Sequence, residues 1–195
     1  MIESNTKQRI FDIAVRLFSD KGYKNVSMRD IAQVAGIKAA SIYNHFESKA
    51  KILEDLFSFF FEQQKKYMPD LDQLLVLAES EPLELLFDRF NYHFPGVEQT
   101  MARIMIIAGM EYRNDEKSET FMKNLFFDMP RIYVGGLLDK LIEFKRIEPI
   151  DTEAFCFLFS SFLYSGAMHN FSKFSVSLSL WDRAWKIFFG FIKPI

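Results

Sequence analysis

Apolar residues recur every three or four positions along almost the whole chain, and no segment alternates apolar and polar residues as a half-buried strand does. The first apolar stripe runs through Ile10, Ile13, Ala14, Leu17 and Phe18, which is the spacing of one buried helix face. Because this period is helical almost throughout, the sequence predicts an all-α fold.

Helix breakers and capping residues predict where the helices begin and end. The first helices are expected over residues 6–20, 28–35 and 38–45, and Ser48 caps a long fourth helix. Pro130 is expected to interrupt or kink the helix that contains it. Further helix starts are marked by a capping residue or a proline: Asp70, Pro82, Pro95, Asp151 and Ser179.

Residues 27–46 have the pattern of a helix-turn-helix. Two short helices pack through Ile31, Ala32 and Ile42, and Gly36 gives the turn between them a residue that tolerates positive φ. The outward side of the second helix is short, polar and basic. A helix with such a surface suits the major groove of DNA.

This stretch resembles the TetR family of one-component regulators. The resemblance rests on Ser27, Ile31-Ala32, Ala35-Gly36-Ile37, Ile42-Tyr43-Asn44-His45-Phe46 and Lys49. It covers residues 6–55, and beyond residue 60 only the number and length of the helices agree. The resemblance implies a DNA-binding head over residues 1–50 and a helical ligand-binding and dimerisation body over residues 51–195.

The resemblance also implies two sets of DNA contacts. Phosphate contacts set the register on the duplex, whereas contacts to base edges read the sequence. The phosphate set is Ser27, Lys38, Tyr43, His45 and Lys49. The base set is Arg29, Gln33, Ala39, Ser41 and Asn44. For Arg29, a surface salt bridge with Asp30 or Glu47 is an equally good interpretation.

Two positions depart from the family pattern. Lys38 stands where the family often has Ser or Thr, so the recognition helix lacks its usual cap, and Ala40 stands where it often has Gly. The charge distribution agrees with a DNA-binding head. The chain has a net charge of −2, yet residues 1–50 hold eight bases and five acids, so that end is basic.

The resemblance implies a homodimer built by two long helices, here about residues 121–144 and 152–171. The second helix carries large aromatic residues beside small ones, which suits a close four-helix interface. Its expected interface residues are Phe155, Phe159, Phe162, Ser165 and Gly166. A purely intrachain core is the alternative for each of them.

The 23 Phe and 9 Met residues favour an apolar or aromatic ligand in the body. The expected pocket residues are Phe90, His93, Met101, Met105, Met110, Cys156 and Leu163. A solid core would use the same residues, and that interpretation stays open. No metal site, cofactor or catalytic motif is predicted, so an enzyme is not expected. With a single cysteine, no signal segment and no bilayer-spanning stretch, a cytoplasmic protein is expected.

Ligand-controlled repression is the mechanism that the resemblance implies. Two recognition helices must meet successive major grooves about 34–36 Å apart, so a homodimer on a palindromic operator is expected. A small molecule in the body would shift the long fourth helix and thereby change the separation of the heads. Two rivals remain: a constitutive DNA-binding dimer without a sensor, and a helical carrier of apolar molecules.

Overall fold

The computed structural model describes residues 2–90, 98–171 and 178–195, and the side chains of residues 6–90, 99–165 and 180–195. In these ranges the chain is helical, and the only extended pairing is an isolated antiparallel bridge between Ile147 and Pro194. The prediction of an all-α fold is confirmed. No described helix is both long and apolar enough to cross a bilayer.

Outside residues 38–45, the described helices begin and end near the predicted breaks, although the last one begins at Leu178 and so contains Ser179, its expected cap. They are α1 (Ile2–Lys21), α2 (Met28–Val34), α3 (Lys49–Tyr67), α4 (Leu71–Leu77), α5 (Leu83–Asp88), α6 (Glu98–Glu111), α7 (Glu116–Lys123), α8 (Gly136–Glu143), α9 (Thr152–Phe171) and α10 (Leu178–Phe189). The Ser48 hydroxyl accepts from the backbone N–H of Lys51 at 3.0 Å and caps α3 as expected. Pro95 lies outside the described residues.

The chain forms two compact units. The first consists of Met1–Lys65 and Gly96–Met122, and the second of Lys66–Pro95 and Lys123–Ile195. The first unit therefore contains α6 and nearly all of α7 in addition to the N-terminal helices. The boundary at residue 50 between head and body stays a prediction.

The core of the first unit is built on the apolar stripe of α1. Ile10, Ala14 and Phe18 are fully buried, and α1 packs along α6. The guanidinium of Arg103 in α6 donates to the carboxylate of Asp20 at 2.6 Å, which holds the pKa of that carboxyl below its ordinary value. The packing and this ion pair together fix α6 against the C-terminal half of α1.

The core of the second unit is aromatic. Phe155 and Phe159 of α9 are 8% and 3% exposed, and their rings contact those of Phe188 and Phe189 in α10. Burying each such ring contributes roughly 1.5–3 kcal/mol. This burial favours the intrachain-core interpretation of Phe155 and Phe159 over a place in a dimer interface, since α10 of the same chain covers both.

Pro130 changes the winding of its helix rather than ending it. Two π-helical segments, Asn124–Asp128 and Arg131–Gly135, flank the proline. Proline has no N–H for the carbonyl four residues earlier, which is that of Phe126. The Ser160 hydroxyl of α9 lies 2.8 Å from this carbonyl oxygen and 2.9 Å from that of Cys156, and its single proton is shared between the two acceptors. A side chain on a neighbouring helix is thus in place to donate to the acceptor that the proline leaves open.

Cys156 lies beside the same distorted helix. Its Sγ donates to the carbonyl oxygen of Pro130 at 3.5 Å. A Cβ added at Gly135 would lie 3.2 Å from the same sulfur atom. Burial raises the pKa of the thiol to about 11. The thiol is packed against backbone on this side, which favours the core interpretation of Cys156 over a place in a ligand pocket.

We expect Cys156 to resist alkylation in the folded protein. A pKa near 11 leaves roughly a hundredfold less thiolate at pH 8 than the ordinary value of 9.0. The rate of Cys156 alkylation by iodoacetamide should rise tenfold per pH unit from pH 7 to 9.5 and should not level off near pH 9. Protein in denaturant is the control and should react at the ordinary rate. Equal rates in both states would contradict the burial of the thiol.

Candidate nucleic-acid interface

A reciprocal capping box begins α2. The backbone N–H of Asp30 donates to Ser27 Oγ at 3.2 Å, and Ser27 donates through its N–H (2.7 Å) and its hydroxyl (2.6 Å) to Asp30 Oδ2. These bonds hold the pKa of Asp30 below its ordinary value. The predicted cap is confirmed. The hydroxyl proton that a phosphate contact by Ser27 would use is engaged with Asp30.

The turn after α2 is a Schellman motif centred on Gly36. Gly36 has φ +65°, its N–H donates to Gln33 O at 3.1 Å, and the N–H of Ile37 donates to Ala32 O at 3.0 Å. A side chain at this φ would be strained, which explains the glycine. The motif turns the chain sharply and directs the following segment across α2.

The segment after this turn departs from the prediction. An α-helix was expected over residues 38–45, but Ser41–Asn44 winds as a 3-10 helix, and residues 39 and 40 form a turn before it. The N–H of Ser41 donates to Lys38 O at 2.8 Å, and the N–H of His45 donates to Ile42 O at 3.0 Å. Both are bonds to the third preceding residue, whereas the N–H of Phe46, just past the segment, donates to the carbonyl oxygen of Ile42 four residues earlier, at 3.0 Å. We call residues 38–45 the recognition segment.

Apart from Lys49, the side chains expected to contact DNA lie on the solvent side of α2 and the recognition segment. Tyr43 is 56% exposed, whereas the adjacent Ile42 is fully buried and anchors the segment. Other exposed members are Ser27, Arg29, Gln33, Lys38, Ala39 and Asn44, and Ser41 and His45 are partly exposed. The fold therefore brings these residues to the surface of one compact motif, as a DNA interface requires.

The exposed cations of this surface come from successive elements. Lys21 and Lys24 precede α2, Arg29 lies in its first turn, and Lys38 begins the recognition segment. Within the described residues, no ion pair joins Arg29 to Asp30 or Glu47. Such cations attract the phosphate backbone and make binding depend on salt.

Lys49 faces into the protein. Its ammonium group donates to the carbonyl oxygens of Tyr23 (2.8 Å) and Val26 (2.9 Å) and lies 4.2 Å from the centroid of the Tyr23 ring. Burial lowers the pKa of Lys49, and the Glu111 carboxylate opposes that shift. Two of the three N–H donors are thus bound to the loop before α2. This arrangement favours a structural role for Lys49 over the expected phosphate contact.

The C-terminal end of α6 lies against the same loop. Glu111 is buried, and a Cβ added at Gly22 would lie 3.5 Å from the Met110 methyl group. Burial, followed by the carboxylates of Asp115 and Glu111, raises the pKa of Tyr23. Sequence reasoning missed Glu111, because a glutamate near a helix end carries no signal that it is buried. Only the tertiary contacts identify it.

The expected pocket residues are divided between the two units. In the first unit, Met101 and Met105 are buried on α6, but Met110 is 51% exposed beside Gly22, which does not fit the wall of a closed pocket. In the second unit, Phe90 is fully buried. Its ring contacts that of Phe159, with the centroids 6.2 Å apart.

The remaining pocket and interface residues are placed as follows. Leu163 is half-buried against the aromatic core, and His93 lies outside the described residues. Phe162 is half-buried on α9, where its ring stacks on that of Trp181, and Ser165 is exposed. Gly166 lies in α9, at a position whose surroundings are outside the described residues.

Sequence comparison places the N-terminal region in a known group. Residues 10–56 match the family model of bacterial regulatory proteins of the tetR family. The HTH-type transcriptional repressor KstR2 of Mycolicibacterium smegmatis is 31% identical over 104 residues, which are 53% of this chain and 48% of that protein. The chain thus matches about half the length of this relative.

A shorter match has a higher identity. The biofilm operon icaADBC HTH-type negative transcriptional regulator IcaR of Staphylococcus aureus is 50% identical over 48 residues, covering 25% of this chain and 26% of that protein. The fold similarity extends further. The structure of ketosteroid transcriptional regulator KstR2 of Mycobacterium tuberculosis matches 96% of this chain and 94% of its own, with a TM-score of 0.67 and 19% identity.

Proposed function

The chain belongs to the TetR family of bacterial regulatory proteins, and from this premise we propose that it is a transcriptional repressor that binds duplex DNA as a homodimer. In this proposal the recognition segment enters the major groove of each half-site. Phosphate contacts set its register on the duplex. The base edges are read by Arg29, Gln33, Ala39, Ser41 and Asn44.

The observation that carries the proposal is the division of the helix-turn-helix into a buried and an exposed side. Ile31 and Ile42 have no solvent contact, whereas Tyr43 and Asn44 are exposed and have no part in the core. An exposed Tyr next to a buried Ile has no folding role of its own. Exposed side chains of this kind beside four exposed cations suit duplex DNA, because its phosphates attract the cations and its base edges can contact the side chains.

The DNA-binding proposal predicts different outcomes for two neighbouring substitutions. Tyr43→Ala should weaken all duplexes similarly, because a phosphate contact carries no base information. Asn44→Ala should mainly relax discrimination, by about 1–3 kcal/mol if its contact to adenine is bidentate. The measurement is fluorescence anisotropy on a palindrome selected by the wild-type protein from random duplexes, and on its single-base variants.

Each variant serves as the control for the other. An unchanged order of preference in Asn44→Ala would remove Asn44 from the base-reading set. If the wild-type protein selects no sequence, and its affinity does not fall as salt rises, the DNA-binding function itself is wrong.

A homodimer is the state that this function needs, and the exposed side of α9 is the surface we propose for it. Phe157 and Leu158 are 60% and 55% exposed, with Ser161 one turn further on. Phe157 and Ser161 lie opposite the buried Phe155 and Phe159, and Leu158 lies at the edge between the two sides, so the proposed interface uses the exposed side of the same helix. Large exposed apolar side chains on one helix face are typical of an association surface.

The terminal helix α10 adds a second exposed stripe to this proposal. Leu180, Ile187 and Phe191 follow one another at helical spacing on α10 and just past its end, and all are exposed. Sequence reasoning attributed the interface to α9 and the helical region before it, and not to α10. The stripe was missed because α10 is apolar on two sides, and only the structure shows that Trp185 and Phe189 face the core.

We further propose that an apolar small molecule releases the DNA. The support is the aromatic and methionine content of both units, together with the contacts of α6 to α1 and to the loop before α2. KstR2 of Mycobacterium tuberculosis, which shares the fold, is a ketosteroid transcriptional regulator, and ketosteroids are largely apolar molecules. A ligand that moves α6 would thereby bias the DNA-binding helices, with a coupling energy of typically about 1–3 kcal/mol.

Thermal unfolding with a panel of steroids, fatty acids and aromatic hydrocarbons tests this sensing step. A true inducer must raise the midpoint of the wild-type protein by mass action and then lower its affinity for the selected palindrome. Met105→Trp should lose the ligand response and keep DNA binding. If no compound raises the midpoint and Met105→Trp only melts earlier, a constitutive DNA-binding dimer takes the place of the sensor.

A further inference from the structure

We propose that Lys38 keeps the recognition segment in a 3-10 winding in the free protein, and that the segment rewinds into an α-helix when it binds its operator. Lys38 is then a positioning residue that sets operator affinity through the shape of the segment, in addition to any contact of its ammonium group. This inference rests on the proposed DNA-binding function.

The hydrogen bonds at the start of the segment carry the first step. If Lys38 were the cap of an α-helix, its carbonyl oxygen would accept from Ile42, and the N–H of Ser41 would need an acceptor from the capping side chain. A lysine side chain has no acceptor. In the structure the Ser41 N–H instead donates to the carbonyl oxygen of Lys38 itself, at 2.8 Å. That bond spans three residues and tightens the winding.

Other helix starts in the same chain provide an internal comparison. Ser27 accepts from the N–H of Asp30 (3.2 Å), Asp70 from that of Gln73 (2.9 Å), and Asp115 from that of Ser118 (2.8 Å). In all three cases the capped segment is α-helical from its first residue. α5, which follows Pro82, is α-helical without a side-chain cap, so a missing cap permits a 3-10 winding without requiring it. The 3-10 segment Ser41–Asn44 starts without a side-chain cap.

The winding matters because it decides which side chains share a direction. Residues three apart eclipse in a 3-10 helix, so Ser41 and Asn44 form one row and Ala40 and Tyr43 another. An α-helix spreads these residues over a wider arc and has better hydrogen-bond geometry, and it is the shape that the major groove admits. Rewinding from a 3-10 to an α-helix on the operator requires free energy. The observed free energy of binding is less favourable by that amount, and the affinity is lower.

A matched pair of substitutions isolates this effect. Lys38→Ser removes the ammonium group and supplies a cap acceptor, whereas Lys38→Ala removes the ammonium group and supplies none. Lys38→Ser should bind the palindrome selected by the wild-type protein about 2- to 30-fold more tightly than Lys38→Ala, which is the usual 0.5–2 kcal/mol of a cap at about 1.4 kcal/mol per tenfold. Any lost phosphate contact cancels between the two.

Amide hydrogen exchange of residues 41–46 is the second readout. In the free proteins Lys38→Ser should show slower exchange there than Lys38→Ala, and operator should slow exchange in the wild-type protein. Equal affinity or equal exchange in the two variants would overturn the proposal. Tighter binding without slower exchange would assign the gain to a hydroxyl–DNA contact. If no operator is selected, the DNA-binding function fails, while exchange in the free proteins still tests the winding.

Discussion

Lys49→Met should lower the free energy of unfolding by about 2–4 kcal/mol, since a hydrogen bond to a charged group is worth about 1.5–3 kcal/mol and its loss leaves acceptors unpaired. Lys49 donates to the carbonyl oxygens of Tyr23 and Val26 and lies within electrostatic reach of the buried Glu111. Methionine fills similar volume without a donor. Urea unfolding followed by circular dichroism measures the effect.

Lys51→Met is the matched control for this experiment. Lys51 lies in the first turn of the same helix, but it is exposed and pairs with Glu54 (3.5 Å) and Asp55 (2.8 Å) at the surface. Removing such pairs changes stability by at most about 1 kcal/mol. Equal stability of the two variants would show that the Lys49 ammonium is solvated.

The salt dependence of DNA binding separates the two roles of Lys49. A lost phosphate contact reduces the slope of log affinity against log salt by about one. A purely structural role leaves that slope unchanged in the fraction of Lys49→Met that stays folded. We expect the unchanged slope, because two of the three N–H donors of the ammonium already bind the loop before α2.

Phe157→Glu should convert the dimer into monomers. Phe157 is 60% exposed on α9, and a carboxylate placed in an apolar interface stays uncompensated, which is strongly unfavourable. Sedimentation velocity at micromolar concentration should give a mass near 23.0 kDa for the variant and twice that for the wild-type protein. The monomer should also lose most of its affinity for the palindrome, because its two half-sites are no longer bound together.

Two further variants make this result specific. Val76→Glu places the same charge at a 73% exposed apolar residue of α4 and should remain a dimer. Phe155→Ala should lose about 3–5 kcal/mol of stability through a core cavity and stay dimeric while folded. A monomeric wild-type protein, or a dimeric Phe157→Glu, would contradict the proposed surface. A monomeric but stable Phe155→Ala would restore the interface expected from the sequence.

The features that sequence reasoning predicted correctly depend on short-range chemistry. Ser27 and Asp30 form their capping box within one turn, and Gly36 turns the chain because a residue without Cβ tolerates positive φ. The stripe that includes Ile10 and Phe18 is a property of helical spacing alone. None of these features needs a distant partner, so the local sequence suffices.

The winding of the recognition segment depends partly on the local sequence and partly on the tertiary structure. The resemblance to the family implies that Lys38 stands where a capping Ser or Thr is usual, and the missing acceptor follows from the chemistry of lysine. A helical period and a 3-10 period are hard to distinguish over eight residues, however, and Ile42 is buried in either winding. The coordinates decide between them through the bond from Ser41 to the carbonyl of Lys38.

By itself the sequence determined that the chain is all-α, that residues 27–46 are a helix-turn-helix, and which family the N-terminal region resembles. These follow from spacing, caps and turn residues that lie close together. Only the tertiary structure decided that Lys49 faces inward, that Glu111 is buried, and that α10 covers Phe155 and leaves Phe157 exposed. Each of these depends on residues far apart in sequence, and an aromatic helix with apolar residues on every side carries no pattern that tells its core face from its exposed one.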